Sequence, residues 1–487
     1  MKSILLVLAI ALSLFAESPL FYGLMNFHGD DLEKSINKGY LGNQPVFSDP
    51  LMSFETGNNN TEYYEMKRIK EFSEYIHGGK RSFFSIFAGP MFDQEMIYKT
   101  TPEINNSLSA GFLMQKKCFS AVLDYRLQHA SDTIPVFRRN NLSMDAERAI
   151  FQIDTSLGII QLGRDRQSWG NSRTGNLSIS KEAHPMDKLR YQVRFGDFYF
   201  DTFHAKLVSD TTLTIEDRYL AGHKIVYRPN SKLEISASEL IIYGGENRNI
   251  EFYYFIPILC YSSVQRNEAE NSDYNDNNFL SLDISYLFLN SMRLYGTLFI
   301  DDLQIDKKEK GDFEPNEIGY TLGIDLFNLL SIDNLDLGIE YVRVNNWTYN
   351  QNFRRNVYIN QNLPIGSPFG NDFWYVDGLI RYSINYKISI EGKYKYMSHG
   401  EGRIDAEWTQ PWFHVDDYSE SFPTGTVEKT SKPSLKVILY PSRFMQVFTE
   451  GGVYLIRNRD NKDDYNSTLP FIRIGLQSQF ILGKFDL

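Results

Sequence analysis

The chain never offers about twenty consecutive apolar residues beyond its first segment, yet stretch after stretch alternates like a membrane-spanning strand. From Phe119, the set Phe119, Ala121, Leu123, Tyr125 and Leu127 interleaves with Ser120, Val122, Asp124, Arg126 and Gln128. From Tyr386, the set Tyr386, Ile388, Ile390, Gly392, Tyr394 and Tyr396 interleaves with Lys387, Ser389, Glu391, Lys393 and Lys395. Near the end, Ile472, Ile474, Leu476, Ser478 and Phe480 interleave with Arg473, Gly475, Gln477 and Gln479. Comparable patterns begin at Leu233, Leu280, Tyr320 and Leu335. A soluble sandwich alternates too, so strands alone leave both architectures open.

The connections decide between them. Tight links fall at Lys117-Cys118, Ser156, Gly196-Asp197, Pro229 to Ser231, Asn290-Ser291, Asn328 to Asn334, Asn385 and Pro441-Ser442. Between them lie longer polar connections at 93–107, 130–146, 165–188, 209–222, 243–278, 301–318, 345–374, 398–432 and 457–468. Outer-membrane barrels alternate short periplasmic turns with long extracellular loops in this way. The expectation is an all-β chain, a transmembrane antiparallel β-barrel of about 18 strands with both ends in the periplasm. It directs Arg126, Lys387, Glu391, Lys393 and Arg473 toward a charged lumen. The stretch from Phe252 to Val264 is apolar enough to hold two more strands or an inward-folded loop.

Composition supports this reading. Aromatic residues make up 15% of the 487 residues, which suits the girdles at both membrane interfaces. A mean hydropathy of −0.36 is too polar for a bundle of membrane helices. Carboxylates outnumber bases, 61 to 50, and the pI is near 5.4, which excludes nucleic acid as a partner. Cys118 and Cys260 are the only cysteines and lack metal-type spacing, so no metal site or cofactor is expected.

The first residues set the compartment. Lys2, the apolar run from Ile4 to Phe15 and a small residue at Ala16 describe a secretory signal peptide over residues 1–16. Residues 17–81 read as a periplasmic segment. Tyr63, Met66, Ile69, Phe72 and Ile76 recur there at helical spacing before Gly78-Gly79, which predicts a short amphipathic helix. Residues 82–487 form the barrel, located in the outer membrane.

The stretch from Gly163 through Arg164, Asp165, Arg166, Gln167, Ser168, Trp169, Gly170, Asn171, Ser172, Arg173, Thr174, Gly175 and Asn176 to Leu177 resembles the signature loop of the Wzi-type capsule-assembly outer-membrane proteins. Leu177 to Ser180 supplies the apolar-Ser run that follows in that family. The likeness continues through Pro185 to Arg190, His204 to Leu207, Arg218 to Lys224, Ser238-Glu239 and Tyr243 to Arg248. Later echoes are Gly366 to Asp372 and Ser398 to Gly402. Where the family's loop often carries a doubled Trp and a Pro, this chain has Gln167-Ser168-Trp169 and no Pro. The resemblance implies an eighteen-stranded barrel with a loop- or ladder-plugged lumen and a small helical periplasmic part. It also implies a role in assembling or anchoring capsular or other surface polysaccharide.

Sugars are held by aromatic faces together with planar polar groups that satisfy several hydroxyls at once. The loop 165–188 offers Arg166, Trp169, Asn171, Arg173 and Asn176 for polysaccharide binding, and the long-connection rule places it at the outer face. An Arg there also suits the carboxylate of a uronic acid. Other placements fit the same residues. Arg164 and Arg190 suit lumen-facing ion-pair ladders, and Trp169 suits an interfacial girdle. Loops 345–374 and 398–432 bring Trp347, Trp374, Trp408 and Trp412 outward, either to meet ligand or to close the pore as a packed cap.

Catalysis has little support. His399 with Glu401, and His414 with Asp416 and Asp417, are the nearest approach to an acid–base pair, and no Gly-x-Ser-x-Gly or His-Glu-x-x-His motif occurs. No catalytic residues are assigned and the chain is read as a non-enzyme. The acidic runs at Asp301-Asp302 and Asp460 to Asp464 lack the order of a calcium loop. The chain is read as a monomer whose partners are surface polysaccharide and outer-membrane lipid. A general or substrate-specific porin is the alternative, and an open lumen would mark it.

Overall fold

In the computed structural model, described over residues 82–97, 103–104, 106–129, 138–139, 142–210, 215–264, 276–304, 313–413 and 415–486, eighteen antiparallel strands close into a barrel. The expected signal peptide and the helix over 63–76 lie outside the described residues. The first seven strands are β1 (Phe83–Ile97), β2 (Ser107–Lys116), β3 (Phe119–His129), β4 (Leu142–Thr155), β5 (Gly158–Asp165), β6 (Met186–Phe195) and β7 (Phe198–Asp210). Next come β8 (Glu216–Tyr227), β9 (Leu233–Gly245), β10 (Asn277–Phe288), β11 (Met292–Asp302), β12 (Glu317–Leu326) and β13 (Leu335–Val344). The wall ends with β14 (Phe373–Asn385), β15 (Ile388–His399), β16 (Glu428–Ser442), β17 (Met445–Arg457) and β18 (Ser467–Ser478, resuming as Phe480–Asp486). Closure runs from Met91 opposite Gln477 to Ile97 opposite Phe471, and from Phe83 opposite Asp486 to Ala88 opposite Phe480. Among the described residues the barrel wall has no open strand edge.

Alternation sets the two faces. On β10, Phe279, Ser281 and Asp283 are buried toward the lumen, while Leu280, Leu282 and Ile284 are 44–54% exposed on the outside. Such exposed apolar side chains face lipid rather than water. Rings mark the outer interface, where Tyr320, Tyr341, Trp374 and Tyr396 form a chain of contacts 5.0–6.2 Å between centroids. Phe198–Tyr227 and Phe444–Phe480 play the same part at the opposite end. Trp374 therefore belongs to the girdle, not to a loop tip.

The tight links stand where the sequence puts them, within two residues. Lys387 falls in the link between β14 and β15 and leaves the lumen series. The connection expected over 209–222 is shorter, because β7 and β8 keep pairing up to Asp210 opposite Glu216. The stretch from Phe252 to Val264 makes neither extra barrel strands nor an inward loop. It lies against the outside of β7–β9, because its Tyr254 and Tyr261 pack on the outward residues Tyr219, Ala221, Ile241 and Tyr243.

The main apolar cluster lies inside the barrel. Trp169, Leu177 and Ile179 from the connection after β5 meet inward residues of β7–β14 and residues of the connection after β13. The rest of the lumen, from β14 round to β1, carries an ion-pair ladder. Arg381 bonds Glu391 at 2.5 Å, Lys393 bonds Glu391 at 2.8 Å, and Arg473 pairs with Asp93.

Candidate functional site

The connection 166–185 leaves the outer end of β5 and turns down into the lumen. Two glycines make the path possible. Gly170 has φ 134° and Gly175 has φ 146°, and a Cβ on Gly175 would stand 2.4 Å from Pro368 Cδ. Trp169 and Ile179 exchange backbone hydrogen bonds of 2.9 and 3.3 Å across the loop's neck. Asn176 locks the turn: its Oδ1 accepts from Ser172 N–H at 2.9 Å and its Nδ2 donates to Ser168 Oγ at 2.8 Å.

The tip docks on the opposite wall. The Glu340 carboxylate on β13 accepts from Ser172 Oγ at 2.9 Å, Arg173 N at 2.7 Å, Thr174 N at 3.0 Å, Thr174 Oγ1 and the Tyr295 hydroxyl at 2.8 Å. Arg173 donates from Nε and Nη2 to Asp377 at 3.1 and 2.7 Å, and from Nη1 to Asp325 at 3.1 Å. Burial alone would lower its pKa, yet Tyr295, Asp377, Asp325 and Glu340 hold the guanidinium above its ordinary value. Gly338 admits this approach, since a Cβ there would lie 1.9 Å from Arg173 Nη1. Asn171 joins through its carbonyl, which accepts from Arg293 Nη2 at 3.4 Å.

The loop's root is equally tied down. Asp201 is fully buried and accepts from Trp169 Nε1 at 2.9 Å and from Arg190 Nε and Nη2 at 2.8 and 2.7 Å. Trp169 is 3% exposed and packs edge-on against Phe203 at 5.1 Å, so it lies in the lumen rather than in a girdle. Arg166 forks onto Glu147 and donates to the Ala183 carbonyl at 2.6 Å. Arg190 faces the lumen as a ladder member. Arg164 instead sits on the outward parity of β5 and grips Asp187 at 2.7 and 2.8 Å. All five sequence-selected residues, Arg166, Trp169, Asn171, Arg173 and Asn176, thus sit in one lumenal plug, bonded to the protein's own groups.

Above the plug lies a cap. Tyr349 and Tyr358 donate to the carbonyls of Leu177 and Ser178 at 2.7 and 2.6 Å, seating the connection after β13 on the plug. Asp372 joins that connection to the one after β15, accepting from Gly402 N at 2.8 Å, Thr424 N at 3.0 Å and Thr424 Oγ1 at 2.5 Å. Burial raises the Asp372 pKa, and those donors only partly offset it. The sequence echoes ending at Asp372 and Gly402 therefore meet in space. His399 turns its Nε2 to the Asn371 carbonyl at 3.0 Å, whereas Glu401 accepts from Thr426 N, so the two do not form an acid–base pair.

Indoles crown the cap. Trp347, Trp408 and Trp412 meet in T-shaped contacts of 4.9–5.4 Å, and Glu420 accepts from Trp347 Nε1, Asn346 Nδ2 and the Tyr418 hydroxyl. Trp412 is buried, Trp347 and Trp408 are half-buried, and Phe413 is 45% exposed beside them. Exposed Asp405, Glu407, Thr409 and Gln410 surround Trp408 in sequence. The sequence alone is compatible with both ligand contact and a packed cap for these indoles. The structure makes them a cap with an accessible edge.

A family model described as capsule assembly protein Wzi matches residues 87–466. Among solved structures, the chain is similar to Escherichia coli Wzi, an outer-membrane protein involved in group 1 capsule assembly and described as a carbohydrate-binding β-barrel. The two are 14% identical, the match covers 95% of this chain and 100% of that one, and the TM-score is 0.64. Pseudomonas aeruginosa OccD3 (OpdP) matches at 10% identity over 84% of this chain and 93% of that one, with a TM-score of 0.50. At such identities the likeness to these structures concerns the fold. No curated protein matches the sequence.

Proposed function

Because the chain belongs to the Wzi capsule assembly family, matched over residues 87–466, we propose that it attaches capsular or other surface polysaccharide at the outer face of the outer membrane, acting as a monomer. The observation that carries the choice of site is the indole platform of Trp347, Trp408 and Trp412 with Phe413 at its edge. A flat indole offers an apolar face to the C–H side of a sugar ring, and the neighbouring carboxylates and amides meet its hydroxyls. A repeating polymer engages many barrels at once, so weak single contacts add up to firm attachment.

In this reading the loop after Gly163 works from below. Trp169, Asn171, Arg173 and Asn176 seat the plug on which the cap rests. Arg166, whose side chain keeps 28% exposure, is the member of the set nearest to a ligand-facing role. The experiment is the double substitution Trp408→Ala with Phe413→Ala, followed by measurement of cell-attached and released polysaccharide. Release into the medium, with heat-modifiable gel mobility unchanged, is the expected result. Wild-type attachment by a correctly inserted variant would remove the platform as the site.

A further inference from the structure

Lipid-facing positions of β7–β9 carry an unusual polar group. His204, His223 and Glu239 all stand on the outward parity of their strands. Glu239 is opposite Leu280 in register, and Leu280 and Leu282 on β10 are exposed as members of the lipid belt. It lies ~20 Å along its strand from the outer end at Gly245, at ~3.3 Å per residue. A carboxylate facing hydrocarbon there would be strongly destabilising.

The segment 246–264 removes that exposure. Glu239 accepts from Tyr261 N at 2.9 Å, Ser262 N at 2.9 Å, Ser262 Oγ at 2.8 Å and Asn278 Nδ2 at 2.9 Å, and stands 3.3 Å from His223 Nε2. Phe255 stacks on His204 at 4.3 Å, and Tyr261 packs on His223 at 4.5 Å. Arg248 and the Tyr254 hydroxyl both bond Asp276, which fastens the segment at its top. Residues 252–264 contain no charged side chain. On their outer side Phe252 is 84%, Ile256 47% and Ile258 92% exposed.

We infer that this connection is a strap that re-enters the membrane along the outside of the barrel, docking Phe252, Ile256 and Ile258 into the hydrocarbon of the outer leaflet. Continuity carries the choice of occupant. The strap's apolar side chains extend the belt formed by Val208, Ile225, Leu280 and Leu282, which flank the patch it covers. An uncharged segment at that depth satisfies its backbone and the buried carboxylate internally, as hydrocarbon surroundings require.

The test places a spin label at Ile258→Cys and, separately, at Phe252→Cys, both with Cys118→Ser and Cys260→Ser, in vesicles of phosphatidylcholine and lipopolysaccharide. Collision with oxygen, which partitions into hydrocarbon, is compared with collision with a water-soluble nickel chelate. Labels at Leu282→Cys and Asp463→Cys provide the lipid and water references. Both strap labels should match the Leu282→Cys reference, with oxygen dominant. Nickel access at the level of Asp463→Cys would overturn the strap's immersion. Protection from both reagents would overturn it differently, by showing a protein surface, a second copy included, in place of lipid.

Discussion

Replacing Arg173 by Ala removes the guanidinium that joins the plug tip to the far wall. Two carboxylates each lose one of their bases: the side chain of Asp377 is 6% exposed and that of Asp325 14%. Breaking a buried pair by deleting one partner costs about 3–5 kcal/mol. Asp325 keeps Arg293 at 3.3 Å and Asp377 keeps Lys395 at 3.8 Å, so the lower end, about 3 kcal/mol, applies here. At about 1.4 kcal/mol per factor of ten, the open form of the plug should become ~100-fold more populated. Hydrogen exchange in lipid nanodiscs reads this directly. Amides from Ser168 to Ser178 should exchange ~100-fold faster, while those of β16 and β17 keep their rates. The conservative Arg173→Lys variant keeps the charge but not the fork, and should fall between the two. An acceleration below about threefold, or an equal acceleration throughout the barrel, would refute the assignment of Arg173 as the plug's pin.

Two further outcomes follow from the same geometry. Gly338→Ala puts a Cβ 1.9 Å from Arg173 Nη1 and 2.7 Å from Asp325 Oδ1, so it should unseat the tip with the wild-type Arg still present, seen as larger and more frequent conductance steps in planar bilayers. His184, on the loop's return, is held below the ordinary imidazole value by burial and by the Arg166 guanidinium. Its neutral form is the one the fold prefers, so its contribution is complete above about pH 6.5 and is lost as pH falls below that. Amide protection over Lys181 to His184, corrected for the intrinsic exchange rate, should therefore fall as pH drops below about 6.5, and His184→Gln should flatten the dependence.

The barrel was legible because its signal is local. Period-two alternation and the short–long rhythm of connections need only neighbouring residues, and they delivered the strand number and the positions of the tight links. The plug was not legible in the same way. A polar loop with Trp169 and Arg173 reads as a binding loop until one knows that Asp325, Glu340 and Asp377 lie on lumen-facing positions of three consecutive strands across the barrel. Those partners are 152 to 204 residues away in the chain. One signal was available: three lumenal carboxylates on adjacent strands, with Arg293 and Lys395 on the flanking strands as their bases, next to the small residue Gly338. The strap had a signal too, in His204, His223 and Glu239 at positions where alternation calls for lipid-facing side chains. Apolar character in 252–264 suggested membrane strands because hydropathy does not say which side of a wall a segment covers.

The plug's long reach has a consequence for how the molecule is made. Its loop lies between β5 and β6 in the chain, but Glu340 and Asp377 lie on β13 and β14, on the far side of the wall. Contacts so distant in sequence form late, after the loop-closure entropy has been overcome by the wall itself. Until then the Arg173 guanidinium lacks its wall carboxylates and the loop tip stays hydrated. The cap rests on the plug through Tyr349 and Tyr358, so it acquires its shape only after the plug is seated. The outer surface is thereby coupled to completion of the wall: a barrel arrested before β14 would present an exterior without the finished indole platform.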